Sequence, residues 1–367
     1  MIKITIVAGA RPNFVKIAPI LRAIEEVNSS EKIFDYRLVH TGQHYDDKMS
    51  VSFFEQLNIP KPHSNLECGG GTQAQQTANI MVRFEEELLQ YPADIVLVVG
   101  DVTSTMACSI TAKKLQIQVG HVEGGIRSRD LDMPEEINRM VTDSITDHFF
   151  TTSEIANNNL RKAGVPDERI HFVGNTMIDT LLFNQDFLIN PNIIVNGKPL
   201  ENGEYFVLTM HRPRNVDQEH RLKTLLEVII EGTAGAVVVF PVHPRTAKTL
   251  ERLGIKNANL KYLEPLSYLE FNYLVKHAKA VITDSGGITE EATVLGVPCL
   301  TLRDNTERPE TITMGTNELV GTNTQKLKGS LEKIRNNQWK KGGKIPLWDG
   351  QSGKRIVSKL IELYSDP

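Results

Sequence analysis

The sequence predicts an α/β protein made of two Rossmann-like domains. Short β-branched runs alternate with amphipathic segments from one end of the chain to the other. The alternation fades once, near the middle, and then restarts. The length of 367 residues also exceeds what one ordinary core organises. Apolar strands separated by helical segments imply parallel sheets covered on both faces.

In the first half, strands are expected at Ile2–Ala8, 36–40, Ile95–Val99, Gln118–Val122 and His148–Thr151. Apolar residues recur with helical spacing over 15–27, 46–57, Gln73–Gln90, 104–115 and 135–144. Between 175 and 203 Asn, Pro and Gly accumulate and the strand signal is lost. It returns at Tyr205–Thr209, 236–241, Leu260–Leu263, Ala280–Thr283 and 298–302, and residues 354–364 close the chain as an amphipathic helix. The expected domains are therefore 1–174, joined by the closing helix 354–364, and 175–353.

Composition narrows the function class. Hydrophobic residues make up 40% and charged residues 23%, ordinary values for a globular protein. A net charge of -4 provides no broad basic field, so a general nucleic-acid partner is not expected. A phosphorylated metabolite remains compatible, because a few converging cations suffice to hold it. Cys68, Cys108 and Cys299 are scattered and odd in number, which suggests reduced thiols and a cytoplasmic setting. No apolar run approaches membrane-spanning length, and the first residues read as a strand. No metal-ligand spacing and no nucleophile elbow occurs, so no metal is expected.

The motifs share one placement. Gly9-Ala10-Arg11-Pro12-Asn13-Phe14-Val15-Lys16 follows the first strand, Gly100-Asp101 the third, and Glu123 the fourth. In the second half His211-Arg212, His243 and Ser285-Gly286-Gly287 each follow a strand. Open α/β sheets bind ligands at the carboxyl ends of their strands. Two such edges are expected to form one inter-domain cleft.

Each motif also has a plainer reading. Ser285-Gly286-Gly287, with Glu290 and Glu291 one turn on, suits a phosphate and ribose site, or simply a capped helix start. The following 303–309 loop supplies Arg303 and Arg308 and favours the anion site. Arg11 and Lys16 put cations near a helix N-terminus, which the helix dipole disfavours unless an anion intervenes. Asp101 follows a wholly apolar strand and can serve as a partly desolvated acid or base, or as the cap of the next helix. In Gly120-His121-Val122-Glu123-Gly124-Gly125-Ile126-Arg127 and Met133-Pro134-Glu135-Glu136-Ile137-Asn138-Arg139, carboxylates and guanidinium groups gather between patterned elements. Three acids, Asp101, Glu123 and Glu135, thus fall on one proposed edge.

Together these motifs, with Thr41-Gly42-Gln43-His44, Gly174-Asn175-Thr176 and Thr306-Glu307-Arg308-Pro309-Glu310, resemble the non-hydrolysing UDP-N-acetylglucosamine 2-epimerases over nearly the whole chain. The resemblance implies a GT-B fold, a dimer, and no external cofactor, since the substrate carries its own leaving group. It implies loss of the C2 proton with departure of UDP, a 2-acetamidoglucal intermediate, and re-addition of UDP to the manno epimer. UDP-GlcNAc is the leading substrate, for surface polysaccharide precursors. By match, Asp101, Glu123 and Glu135 are acid/base candidates and His211 steadies leaving UDP. Arg11, Lys16, His243, Phe271, Ser285, Gly286, Gly287, Glu291 and Arg308 hold the UDP-sugar, and Arg139 supports the acids. Departures are Asn13, where many relatives have Glu; the short 127–134 link; Pro213-Arg214; and Tyr45-Asp46-Asp47. Alternatives are a related UDP-sugar such as a UDP-2,3-diacetamido-uronic acid, a hydrolysing epimerase, a GT-B glycosyltransferase, and a UDP-sugar sensor.

Overall fold

The structure, a computed structural model, describes residues 1–43, 53–242 and 244–364. The chain divides into two compact units, Met1–Phe183 with Pro346–Pro367, and Asn184–Ile345. The expected helix at 46–57 lies partly outside the described residues; within them, residues 53–56 are helical.

The first unit is built on a seven-stranded, all-parallel sheet. Its order is Ser64–Asn65, Phe34–His40, Ile2–Ala8, Ile95–Val99, Gln118–Val122, His148–Thr151, Ile170–Phe172. Ile95–Val99 is buried at every position, as a central parallel strand of Val, Ile and Leu must be. One face carries helix Arg11–Ser30, which buries Phe14, Ile17, Leu21 and Ile24 at helical spacing. The other face carries Ile80, Phe84, Ala107 and Cys108 against Val96 and Val98. All three cysteines are free and buried, and burial pushes the Cys108 thiol well up.

Helix Thr176–Phe183 packs on Arg11–Ser30, which carries the unit past the expected 174/175 boundary. Returning to the same unit, the chain anchors Trp348 Nε1 on Thr152 O at 2.9 Å. Helix Ser352–Tyr364 then lies on Arg11–Ser30, with Gly353 N donating to Asp179 Oδ2 at 2.7 Å.

The second unit has a six-stranded parallel sheet in the order Leu260–Leu263, Val237–Pro241, Tyr205–Thr209, Ala280–Thr283, Cys299–Thr301, Asn317–Leu319. One core holds Phe206, Leu208, Leu226, Phe240 and Ile282; the opposite one holds Val207, Val239, Leu274 and Val281. The weakly patterned 175–203 stretch contains helix Thr176–Phe183 and a two-stranded antiparallel pair, Ile194–Val195 with Lys198–Pro199.

Both sheets reverse their winding direction once. In the first, Ile2–Ala8 pairs with Phe34–His40 on one side and Ile95–Val99 on the other. In the second, Tyr205–Thr209 pairs with Val237–Pro241 and Ala280–Thr283. At each reversal the two loops leaving the strand ends diverge and open a crevice. Gly9 and Asp101 follow one such strand pair, and His211 and Asp284 the other.

Gly353 approaches the Arg11–Ser30 helix so closely that a Cβ there would sit 2.5 Å from Pro19 O. Gly353→Ala is expected to displace the closing helix and cost ~1–3 kcal/mol. Thermal unfolding should show a lowered midpoint; an unchanged midpoint would show that the helix contact yields freely.

Candidate functional site

In the first unit, the loop after Ile2–Ala8 closes tightly. A side chain at Gly9 would collide with Ser104, so glycine is needed where the loop meets helix Thr103–Lys114. Asn13 Oδ1 accepts from Gly9 N and Ala10 N, both at 3.0 Å, while its Nδ2 donates to Val99 O at 2.9 Å. The departure at Asn13 is thus a clamp between the first and third strand ends. Gln43 Oε1 accepts from Ser104 N at 3.0 Å and Ser104 Oγ at 2.7 Å, fixing the same helix from the second strand.

Lys16 and Glu123 form a buried pair, Nζ to Oε2 at 2.5 Å, with residue exposures of 7% and 4%. The anion that offsets Lys16 is therefore a carboxylate of the protein itself. Glu123 adopts φ of 73°, a left-handed conformation that costs a non-glycine residue on the order of 1–3 kcal/mol. Its amide donates to Phe150 O at 2.9 Å, so the strand edge holds it in place.

Asp101 is half-buried, and its carboxylate pairs with Arg139 Nη2. It does not cap the next helix: the N-cap is Val102, without a side-chain bond. Arg139 also donates through Nη1 to Glu136 Oε2 at 2.8 Å. Burial works to raise the Glu136 pKa, but donors from Ser128 N, Arg139 and Arg129 N prevail and hold it below the usual range. Glu136 thereby closes the short 127–134 link, accepting from Ser128 N and Arg129 N at 2.9 Å each. Glu135 beside it is half-buried and has no side-chain partner among the described residues.

Helix Pro134–Ile145 has inverted polarity. Its buried residues are Glu136, Asn138, Arg139, Thr142 and Asp143, whereas Ile137 and Met140 are about half exposed. The apolar spacing that predicted this helix therefore marks its outer face. Glu136, Arg139 and Asp143, spaced i, i+3 and i+7, are the signal that could have revealed the inner one.

In the second unit Asp284 is the hub. It is fully buried and accepts from His211 N at 3.1 Å, Arg212 N at 3.0 Å, Asn215 Nδ2 at 3.0 Å and His211 Nδ1 at 2.8 Å. Burial opposes its charge, yet these donors hold its pKa below the usual carboxylate range. His211 is exposed, and its Nε2 has no partner among the described residues. Helix Gly286–Val294 begins after Ser285 with no side-chain cap, so the hydroxyl does not satisfy its first N–H groups.

The cations expected beside that turn are balanced internally. Arg303 makes a bidentate pair with Glu307 at 2.7 and 2.8 Å, and Arg214 meets Asp304 at 2.7 Å. Arg308 Nε pairs with buried Glu290. Glu291 is buried beneath, with Asn272 Nδ2 at 3.4 Å. Half-buried Phe271 packs against the core formed by Leu274 and Ala292. Arg11 is half-buried over the Phe53 ring, 5.4 Å from its centroid. His243 lies outside the described residues.

A family model described as UDP-N-acetylglucosamine 2-epimerase matches residues 26–361. The chain is 43% identical over 368 residues to the UDP-N-acetylglucosamine 2-epimerase of Methanocaldococcus jannaschii, covering 98% of both chains. The chain belongs to the UDP-N-acetylglucosamine 2-epimerase family.

The fold is that of the crystal structure of the M. jannaschii UDP-GlcNAc 2-epimerase in complex with UDP-GlcNAc and UDP, with a TM-score of 0.87 and 42% identity. That alignment covers 98% of this chain and 99% of the other. The UDP-2,3-diacetamido-2,3-dideoxy-D-glucuronate 2-epimerase of Pseudomonas aeruginosa is 38% identical, over 98% of this chain and all of the relative. The chain is thus an isomerase-family member with the GT-B-like α/β fold. Its family motifs lie at the strand ends of both sheets; Glu136 and Asp284 fall within motifs without an expected role, and Asp143 lies outside every motif quoted from the sequence.

Burial raises the Glu291 pKa from 4.5 to about 7, against the hydrogen bonds of Tyr268 and Asn272. An acid with a raised folded pKa stabilises the fold fully below its unfolded value, and that contribution is lost as pH rises through 7. Across pH 4.5 to 7 the loss is on the order of 3 kcal/mol. Glu291→Gln should flatten this part of the stability profile, read from urea midpoints; parallel profiles would contradict the burial of a titrating acid.

Proposed function

We propose that this protein interconverts UDP-GlcNAc and UDP-ManNAc by anti elimination of UDP and re-addition through 2-acetamidoglucal. The observation that carries the reading is the pair of carboxylate–cation contacts at one strand edge, Asp101 with Arg139 and Glu123 with Lys16. In the forward direction a carboxylate takes the C2 proton while the C1–O bond breaks and UDP leaves with its electron pair. Return requires a proton delivered to the opposite face of C2 and attack of a UDP oxygen on C1. Two acid/base groups are needed, and Asp101, Glu123 and Glu135 form the pool.

Asp101 and Glu123 each lie against a cation, Arg139 and Lys16, which orients the carboxylate proposed to take the proton. Within the second unit, a nucleotide-binding edge is proposed. The uncapped helix start at Ser285, Gly286 and Gly287 offers backbone N–H groups to a diphosphate. Asp284 orients His211 so that its outer nitrogen can donate to the departing UDP. Arg11, Phe271, Glu291 and Arg308, with His243, complete the proposed nucleotide contacts. Exposed Leu131, Ile137 and Met140 on the first unit support assembly as a homodimer. Three unpaired, buried cysteines support a cytoplasmic setting, with the product feeding polysaccharide precursors.

The 38% identity to the P. aeruginosa enzyme favours one second reading, a UDP-2,3-diacetamido-uronic acid as substrate. Incubation with each UDP-sugar in deuterium oxide, followed by NMR, separates them. Deuterium at C2 with UDP still attached is expected for UDP-GlcNAc; free UDP with free ManNAc would indicate hydrolysis instead. No exchange with UDP-GlcNAc, but exchange with the uronic acid, would transfer the assignment.

Glu123→Gln should slow C2 exchange by ~10²-fold or more while UDP affinity changes little, because an amide keeps the volume and cannot take the proton. Equal loss of UDP binding would make Glu123 a binding residue. Arg308→Gln should act in the opposite order, weakening UDP binding ~10-fold before it lowers turnover. Calorimetric titration with UDP distinguishes the two patterns.

A further inference from the structure

We propose that Asp143 and His121 are the positioning residues that set the spacing of Asp101 and Glu123, Asp143 through the Gly125 amide and His121 through the Gly100 carbonyl. The inference rests on the reading that these two carboxylates move the C2 proton. Asp143 and His121 are buried, with exposures of 5% and 0%, so they act through other residues. Asp143 sits on helix Pro134–Ile145, four residues after Arg139, the partner of Asp101.

One carboxylate reaches both acid-bearing loops. Asp143 Oδ1 accepts from His121 Nδ1 at 2.8 Å. Asp143 Oδ2 accepts from Gly125 N at 3.0 Å and Arg127 Nη1 at 2.6 Å. Gly125 lies two residues beyond Glu123, whose left-handed backbone requires anchoring on both sides. Phe150 O holds the Glu123 amide, and Asp143 holds the turn that follows it.

The second reach passes through the imidazole. His121 Nε2 lies 2.8 Å from Gly100 O, the carbonyl immediately before Asp101. Both neighbours of the ring are oxygen acceptors, a carboxylate and a carbonyl, so the imidazole bridges Asp143 to the peptide before Asp101. Gly100 has φ of 70°, and a Cβ there would stand 3.2 Å from Lys16 Nζ and 3.7 Å from Glu123 Oε2. The Gly100 peptide thus precedes Asp101 in the chain and borders the Lys16–Glu123 pair, so its position bears on both acids. Burial disfavours the Asp143 charge, but the His121 and Arg127 donors hold its pKa down and keep it an acceptor.

The amide side chains give an ordered test in the full-length protein. Gln at position 121 can place its amide nitrogen where Nε2 stands and keep the Gly100 contact. Asn can place its nitrogen only where Nδ1 stands. His121→Gln is expected to retain C2–H exchange within ~10-fold of the natural protein. His121→Asn and Asp143→Asn should each lose ~10²-fold, the cost of an acid misplaced by about 1 Å. KM for UDP-GlcNAc and the UDP dissociation constant should stay within ~3-fold throughout, because those contacts lie elsewhere.

Equal activity of the Gln and Asn variants, or turnover lost in step with UDP affinity, would overturn the proposal. If Asp143→Asn fails to fold, the His121 pair decides the contact at Gly100, and equal activity of its two variants overturns the proposal. Failure of the underlying reading looks different: the natural protein would show no C2 exchange, or Glu123→Gln would leave exchange intact.

Discussion

A carboxylate taken out of water must be met by hydrogen-bond donors, and the arrangement of both strand edges depends on this constraint. Glu123, Glu136, Asp143 and Asp284 are all buried, and each is met by donors at hydrogen-bond distance. Meeting them draws together parts of the chain that are otherwise independent. Lys16 comes from the first helix to Glu123 after the fourth strand, and Asn215 comes from a four-residue helix to Asp284. The backbone contributes as much as the side chains, through the amides of Ser128, Arg129, Gly125, His211 and Arg212.

The sheets make this arrangement affordable. Parallel strands packed on both faces bury their whole length, so polar chemistry is pushed to the loops at their carboxyl ends. The reversal of winding occurs beside the first strand of each parallel sheet. There two neighbouring loops diverge, and charged side chains can gather without disrupting the apolar layers. Helix Pro134–Ile145 carries this furthest: its inner face is polar because it covers charged loops, not a hydrophobic layer. Its apolar residues Ile137 and Met140 are left outward.

Much of the fold was legible because buried parallel strands have a strong local signature. Ile2–Ala8, Ile95–Val99, Gln118–Val122, Tyr205–Thr209 and Ala280–Thr283 have the bounds their apolar runs imply. The edge strands Ser64–Asn65, Ile170–Phe172 and Asn317–Leu319 were missed, since two or three partly exposed residues carry little pattern. At the site, the motif positions were legible and the partnerships were not. Arg303 and Arg308 read as free cations near an anion site, yet Glu307 and Glu290 accompany them. Lys16 read as a phosphate ligand, and its observed neighbour is Glu123.

By itself the sequence determined the alternation of strands and helices, the repetition of that pattern, and the crowding of ionisable residues at strand ends. Those properties are local: β-branched runs, helical periodicity and short polar turns act within a few residues. Only the tertiary structure decided which charges meet, which face of helix Pro134–Ile145 is inward, and that Asp143 joins the Gly100 and Gly125 loops. The reason is physical. A buried charge takes its character from groups brought to it by folding, and Glu123 and Lys16 stand 107 residues apart in the chain yet 2.5 Å apart in space.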